Sequence, residues 1–196
     1  MSRSAELSRA TGETDVTVRL GLDGTGAGAR STGVGFFDHM LDLLARHGGL
    51  DLEVAAAGDL QTGAHHTVED TGIVLGRALD EALGDRAGIT RYGHVVVPMD
   101  EARASCALDV SGRPLLVFAG PVPPGTTGGF EHELLEEFLR AVASTARLTV
   151  HVTVEAGTNP HHMIEACFKA FARALRAAVA LDPRAAGVPS TKGTLR

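Results

Sequence analysis

Tryptophan is absent from this 196-residue chain and aromatic residues make up only 4% of it. The core must therefore be built from Ala, Val, Leu and Ile. Cysteine is scarce too. Cys106 and Cys167 sit in apolar contexts without C-x-x-C spacing, which argues against a disulfide framework or a catalytic thiol and for buried free thiols in a reducing compartment. No apolar run approaches the roughly 18 residues needed to span a bilayer. Residues Met1–Ala10 lack the apolar centre of a signal peptide, so the expectation is a cytoplasmic protein. An excess of positive charge is also missing. The formal net charge of −6 argues against a nucleic-acid partner, although one basic cluster would suffice for a phosphorylated small molecule. What remains, 44% hydrophobic and 21% charged, suits one compact domain or two small halves sharing a core.

Histidine, by contrast, is concentrated. Five of the nine histidines fall in three places: His39, the pair His65-His66 and the pair His161-His162. These places belong to an internal repeat. Asp38-His39-Met40-Leu41 leads to the alternating stretch Leu50–Val54, as Glu136-Glu137-Phe138-Leu139 leads to Leu148–Val152. His65-His66-Thr67-Val68-Glu69 then matches His161-His162-Met163-Ile164-Glu165, and each runs into a long helical pattern. Leu22–Gly26 echoes Leu108–Gly112 more faintly. Strands are predicted over Asp15–Leu22, Ala27–Thr32, Leu50–Ala57, Val95–Met99, Arg103–Val110, Leu115–Ala119 and Leu148–Glu155, with Gly120–Gly129 as a loop and an aperiodic tail from Leu181 to Arg196. The fold class expected is α+β: internally duplicated ββαβα-type halves, residues 1–86 and 87–196, forming two sheets packed with helices about a pseudo-twofold and joined near Gly84–Gly88.

On a helix, residues i and i+4 share a face, so His65 and Glu69 align while His66 points about 100° away. One cation cannot easily take both histidines of a pair. Two such motifs related by a pseudo-twofold can instead cross-supply two cations, and imidazole with carboxylate suits Mn, Fe or Zn better than Mg or Ca. His39 is a further ligand candidate. Glu137 is its counterpart, since each lies eleven residues before its strand leucine (Leu50 and Leu148); His132 competes with Glu137 for this place, and Glu137 ranks first.

These residues resemble the imidazoleglycerol-phosphate dehydratase family of histidine biosynthesis. The motifs that carry the resemblance are Phe37-Asp38-His39-Met40-Leu41, His65-His66-Thr67-Val68-Glu69-Asp70-Thr71, Pro98-Met99-Asp100-Glu101, and Gly157 and Asn159 followed by His161-His162, Glu165-Ala166 and Phe168-Lys169. The resemblance implies a cytoplasmic homo-oligomer of twenty-four subunits with sites at subunit interfaces and two Mn2+ ions per site. One ion would be held by His39, His66, His161 and Glu165. The other would be held by His65, Glu69, His162 and a residue of the second-half helix, often His in the family and here Glu137. A second departure is Gly63, where many members carry an acid. The resemblance also assigns Arg91, Arg113, Lys169, Ser190 and Lys192 to the substrate, chiefly its phosphate, for which Arg offers a planar fork and Lys a point charge.

The activity implied is the dehydration of D-erythro-imidazoleglycerol phosphate to imidazole-acetol phosphate on the route to L-histidine. The imidazole ring, once ionised, can expel the neighbouring hydroxyl, and a carboxylate then takes the proton from the next carbon. Glu13, Glu165 and Glu69 are the candidate catalytic carboxylates, with Glu13 also near the substrate. A metal-dependent hydrolase would account for the cations and basic residues but leaves the duplication unexplained. A metal store would be expected to use Glu-x-x-His on long bundle helices, in a chain with fewer strands.

Overall fold

The computed structural model describes residues 3–120 and 122–195. The first sheet has the order β1-β2-β4-β3, from β1 (Ser4–Ala10), β2 (Thr14–Gly21), β3 (Arg30–Ser31) and β4 (Asp51–Gly58). The second has the order β5-β6-β10-β7, from β5 (Tyr92–Met99), β6 (Ala102–Asp109), β7 (Leu115–Ala119) and β10 (Thr149–Ala156). In both sheets the third neighbour is antiparallel to the second and parallel to the fourth. Helices α1 (Gly35–Gly48) and α2 (His65–Leu83) flank β4 in sequence as α3 (Leu134–Thr145) and α4 (Pro160–Val179) flank β10. The described residues thus form an α+β duplication with two four-stranded sheets and four α-helices. A short hairpin of β8 (Thr126–Thr127) and β9 (Phe130–Glu131) is added before α3.

Each sheet buries one face. Val16, Val18 and Leu20 alternate inward on β2, as Ala104, Cys106 and Leu108 do on β6. That face receives a helix: α2 lies on β1 and β2, and α4 on β5 and β6. The helices then pair across the duplication, α1 against α4 and α2 against α3. Few aromatics suffice because they are clustered at this junction, edge-on and stacked. The Phe37 and Phe138 rings lie 5.3 Å apart, and Phe138 lies 5.3 Å from Phe168. Small residues set the spacing of α2 and α3. A Cβ on Gly76 would stand 2.7 Å from the Val142 carbonyl oxygen, and one on Gly72 would stand 3.0 Å from that of Phe138. Both cysteines are buried, and burial pushes the Cys106 thiol up to about 12 and that of Cys167 higher. No helix among the described residues is long and apolar enough to cross a membrane.

Three details correct the expectation. The first half begins with a strand that was not expected, β1, in the N-terminal segment, whereas the three strands that open the second half were all expected. Its inward residues Ala5, Leu7 and Arg9 are only partly buried, and Ser4, Glu6 and Ser8 face outward, as befits an edge strand. The strand expected over Ala27–Thr32 shrinks to Arg30–Ser31, since the Gly26 and Gly28 turns (φ +93° and +113°) occupy its start. The loop Gly120–Gly129 contains β8.

Candidate metal centre

Cross-pairing of the helices brings together residues far apart in sequence. His39 from α1 meets His161 and Glu165 from α4, and their ligand atoms lie within 4.8 Å of one another. His161 Nε2 is 3.2 Å and His39 Nε2 3.7 Å from Glu165 Oε2. A cation with bonds of about 2.1 Å spaces its ligands roughly 3–4.2 Å apart, so the donor set fits a borderline divalent ion. Glu165 is buried and the two imidazoles are half exposed, leaving an open side. Burial would raise the Glu165 carboxyl, but the Lys169 ammonium 2.6 Å away, with His161 and His39, outweighs it and holds the group below the ordinary range.

The duplication puts the counterparts of these residues on α2 and α3, although their ligand atoms do not close into a comparable group. His65 Nε2 lies 3.9 Å from Glu69 Oε2, and Glu137 from α3 lines the same groove as Glu69 and Ile73. Glu137 therefore occupies the place that His39 takes in the other trio. His132 precedes α3 and is buried, with Nδ1 2.7 Å from the Pro123 carbonyl and Nε2 2.9 Å from the Thr127 hydroxyl. Both of its ring nitrogens are engaged away from the groove.

The second histidine of each pair faces elsewhere. His66 Nδ1 is 3.1 Å from both oxygens of Asp59, and His162 Nδ1 is 2.7 Å from Glu101 Oε2. Donation of Nδ1–H to a carboxylate fixes the tautomer and leaves Nε2 as the ligand atom. The Asp59 hydrogen bond raises the His66 pKa, and that of Glu101 raises the His162 pKa. Glu101 itself falls to about 2, because His162 and the Asn159 and Thr158 amides all donate to it. Asp59 thus supplies His66 with a carboxylate despite Gly63. Among the described residues, the His39–His161–Glu165 trio is the one group of three close enough to hold an ion within the chain, and it includes neither His66 nor His162.

The remaining expected residues fall near these trios or in a basic cluster. Glu13, at the β1–β2 tip, lies 3.9 Å from His66 Nδ1. Arg91 holds Asp109 with two nitrogens, at 2.8 and 3.1 Å, and donates to the Pro189 carbonyl at 2.9 Å. Arg113 reaches the same Asp109 at 3.7 Å and is largely exposed. Ser190 follows Pro189, and its hydroxyl accepts from the Lys192 amide. Arg91, Arg113, Ser190 and the Lys192 backbone are thus joined through Asp109 and the tail. Lys169 stands apart from them, beside Glu165 and Met99, and lines a cavity with His47 and Arg173. Burial, then the Lys169 and Arg173 charges, lowers the His47 pKa.

Sequence reasoning missed Asp59, Asp100, Glu101 and His47 as parts of this region. Asp100 and Glu101 lay in a noted motif without a role. His47 is two turns after His39 on the same helix face, and that spacing was its signal.

A family model for imidazoleglycerol-phosphate dehydratase matches residues 32–175. The chain belongs to the imidazoleglycerol-phosphate dehydratase family. It is 55% identical to the imidazoleglycerol-phosphate dehydratase of Jannaschia sp. (strain CCS1) over 98% of this chain and 100% of the relative. It is 58% identical to that of Methanoculleus marisnigri over the same shares. The solved imidazoleglycerol-phosphate dehydratase of Staphylococcus aureus superposes with a TM-score of 0.83 at 41% identity, covering 91% of this chain and 99% of that one. Family membership makes the chain a dehydratase of the carbon–oxygen lyase class. The stretch that matches the family model contains both His-His-x-x-Glu motifs, His39 and Glu137.

Proposed function

We propose that this chain dehydrates D-erythro-imidazoleglycerol phosphate to imidazole-acetol phosphate in L-histidine biosynthesis, at sites that hold two Mn2+ ions and are shared between subunits of a twenty-four-chain homo-oligomer. The observation that carries this reading is the His39–His161–Glu165 trio, which lacks the kind of ligand that the chain presents outward elsewhere, together with its counterparts His65, Glu69 and Glu137 in the other half. His39, His161 and Glu165 of one subunit would take His66 from a neighbour. His65, Glu69 and Glu137 of that neighbour would take His162 in return. One interface then contains both ion sites.

When bound, the two cations supply Lewis acidity that favours the ionised form of the substrate's imidazole ring, worth several kcal/mol. The chain's own residues do the rest. Arg91, Arg113, Ser190 and Lys192 would hold the phosphate, and in a site shared between subunits Lys169, with His47 beside it, would join them from another chain. The C–O bond on the carbon next to the ring breaks, a carboxylate takes the proton from the neighbouring carbon, and the resulting enol becomes the ketone, with net loss of one water. Glu13 would take that proton, a role its exposure at a hairpin tip beside His66 supports. Glu165, kept anionic by Lys169, and Glu69 serve as ligands and handle protons at the ring.

The test combines elemental analysis of the purified protein with an assay for the ketone. Two Mn2+ per chain and ketone formation from imidazoleglycerol phosphate are expected, and Glu165→Gln should abolish turnover while substrate still binds. Normal turnover by that variant, or release of inorganic phosphate in place of the ketone, contradicts the proposal.

A further inference from the structure

We infer that a triad of buried Thr14, buried Asp70 and half-buried Arg9 is a positioning device for Glu13 and acts on the reaction through that carboxylate; the inference rests on the proton-transfer role given to Glu13 above. Asp70 follows Glu69 on α2 and is 6% exposed. It accepts a hydrogen bond from the Thr14 hydroxyl and pairs with the Arg9 guanidinium. Arg9 lies near the end of β1 and Thr14 begins β2, so both legs of the hairpin are clamped to α2. The tip between them is fixed in turn. The Thr11 hydroxyl accepts from the amides of Glu13 at 3.2 Å and Thr14 at 3.0 Å, and the Glu13 carbonyl accepts from the Asp59 amide at 3.1 Å. The backbone of Glu13 is held from both sides while its side chain stays 58% exposed.

The duplication provides the control. Arg9 pairs with Val16 as Val97 pairs with Ala104, and Val16 faces Ala56 as Ala104 faces Val154. By this register Thr14 corresponds to Ala102. Asp70 follows Glu69 as Ala166 follows Glu165. The second half thus fills the three places with Val97, Ala102 and Ala166, of which the two alanines are fully buried. The same fold therefore closes with apolar residues alone. A buried carboxylate is costly, and apolar replacement of a buried ion pair is often neutral or stabilising, so stability does not explain the polar version. Directional bonding does. The second tip is anchored by its own carboxylate, Glu101, on the Thr158 and Asn159 amides. The first is anchored from beneath, which keeps the Glu13 carboxylate available.

The decisive variant copies the second half into the first: Arg9→Val, Thr14→Ala and Asp70→Ala together. The fully assembled, Mn-loaded protein should keep its metal content and melt within about 3 °C of the parent. Its kcat should fall between about tenfold and a hundredfold, as a misplaced catalytic group costs, with KM changed less than about threefold. Amides 11–14 should exchange hydrogen faster. In a Glu13→Gln background the triple change should cost nothing more. Should the triple variant fail to fold, Thr14→Val alone should show the same kcat loss and Thr14→Ser should restore it. Parental kcat in the triple variant, or in Thr14→Val, overturns the inference, as does an undiminished extra loss in the Glu13→Gln background. If Glu13→Gln itself turns over normally, the role given to Glu13 fails and this inference falls with it. If Glu13→Gln is inactive but the triad variants are not, only the triad's role is wrong.

Discussion

The two halves of this protein place the same machinery in mirrored positions but finish it differently. In one, His39 joins His161 and Glu165 into a set of donors close enough to hold a cation. In the other, Glu137 is the counterpart of His39 and lines a groove with Glu69, while His65 lies 3.9 Å from Glu69 without closing a comparable set. Helix approach differs as well. The α2–α3 pair is drawn together at Gly72 and Gly76, whereas α4 carries Phe168 and Ala172 at the matching positions. The lesson is that duplication fixed which helices meet and where the ligands emerge, and later substitution adjusted the ligand type and local support of each trio separately.

The comparison breaks most completely if one trio can be lost without consequence. His161→Ala and His65→Ala should each remove one cation per chain by elemental analysis and lower turnover about a thousandfold or more, given several kcal/mol of Lewis-acid stabilisation at stake. A variant that loses a cation yet turns over normally would show that the two halves are unequal in function as well as in detail.

A smaller effect separates the supporting carboxylates. Asp59→Asn and Glu101→Gln should each weaken cation binding about ten- to a hundredfold, the usual cost of losing the partner of a ligating histidine. The pH dependence carries a sign. Asp59 and Glu101 raise the pKa values of His66 and His162 above the ordinary 6.5, and a cation needs the unprotonated ring. Affinity should therefore begin to fall above that value as the pH drops. Asp59→Asn should shift the His66 limb to lower pH even as it weakens binding at high pH. Titration of Mn2+ binding from pH 5 to 9 reads both.

The smallest effect concerns packing. Gly76→Ala drives a methyl toward the Val142 carbonyl and should cost about 1–3 kcal/mol. The reciprocal change on α4, Ala172→Gly, should cost about 1 kcal/mol through helix propensity, plus a little lost packing. Denaturant melts distinguish the two, and equal costs would mean that the closer α2–α3 approach is not held by glycine.

Much of this was legible in the residues. The repeat of His-His-x-x-Glu with its flanking helix and strand announced the duplication, and helical periodicity separated the two histidines of each pair. Equal spacing to Leu50 and Leu148 paired His39 with Glu137. What the chain could not reveal locally was contact between halves: nothing in the pattern says that α1 packs on α4. Strand β1 escaped because an edge strand buries too little to imprint a strong alternation. Asp59 and Glu101 escaped because a carboxylate that orients a histidine looks like any surface acid until the fold brings it within 3.1 Å of the ring. His47 was hidden similarly, its neighbours Lys169 and Arg173 being distant in sequence.

The central claim is that each catalytic site takes its α2 ligands from one subunit and its α4 ligands from another. Co-assembly tests it directly: chains carrying His65→Ala and His66→Ala are mixed under reassembling conditions with chains carrying His161→Ala and His162→Ala. Each variant alone should be inactive, and the mixture should regain about a quarter of parental activity, since a random pairing joins an intact α2 end to an intact α4 end in that fraction of interfaces. A mixture as inactive as its components, with both chains present in the same particles, would contradict the account.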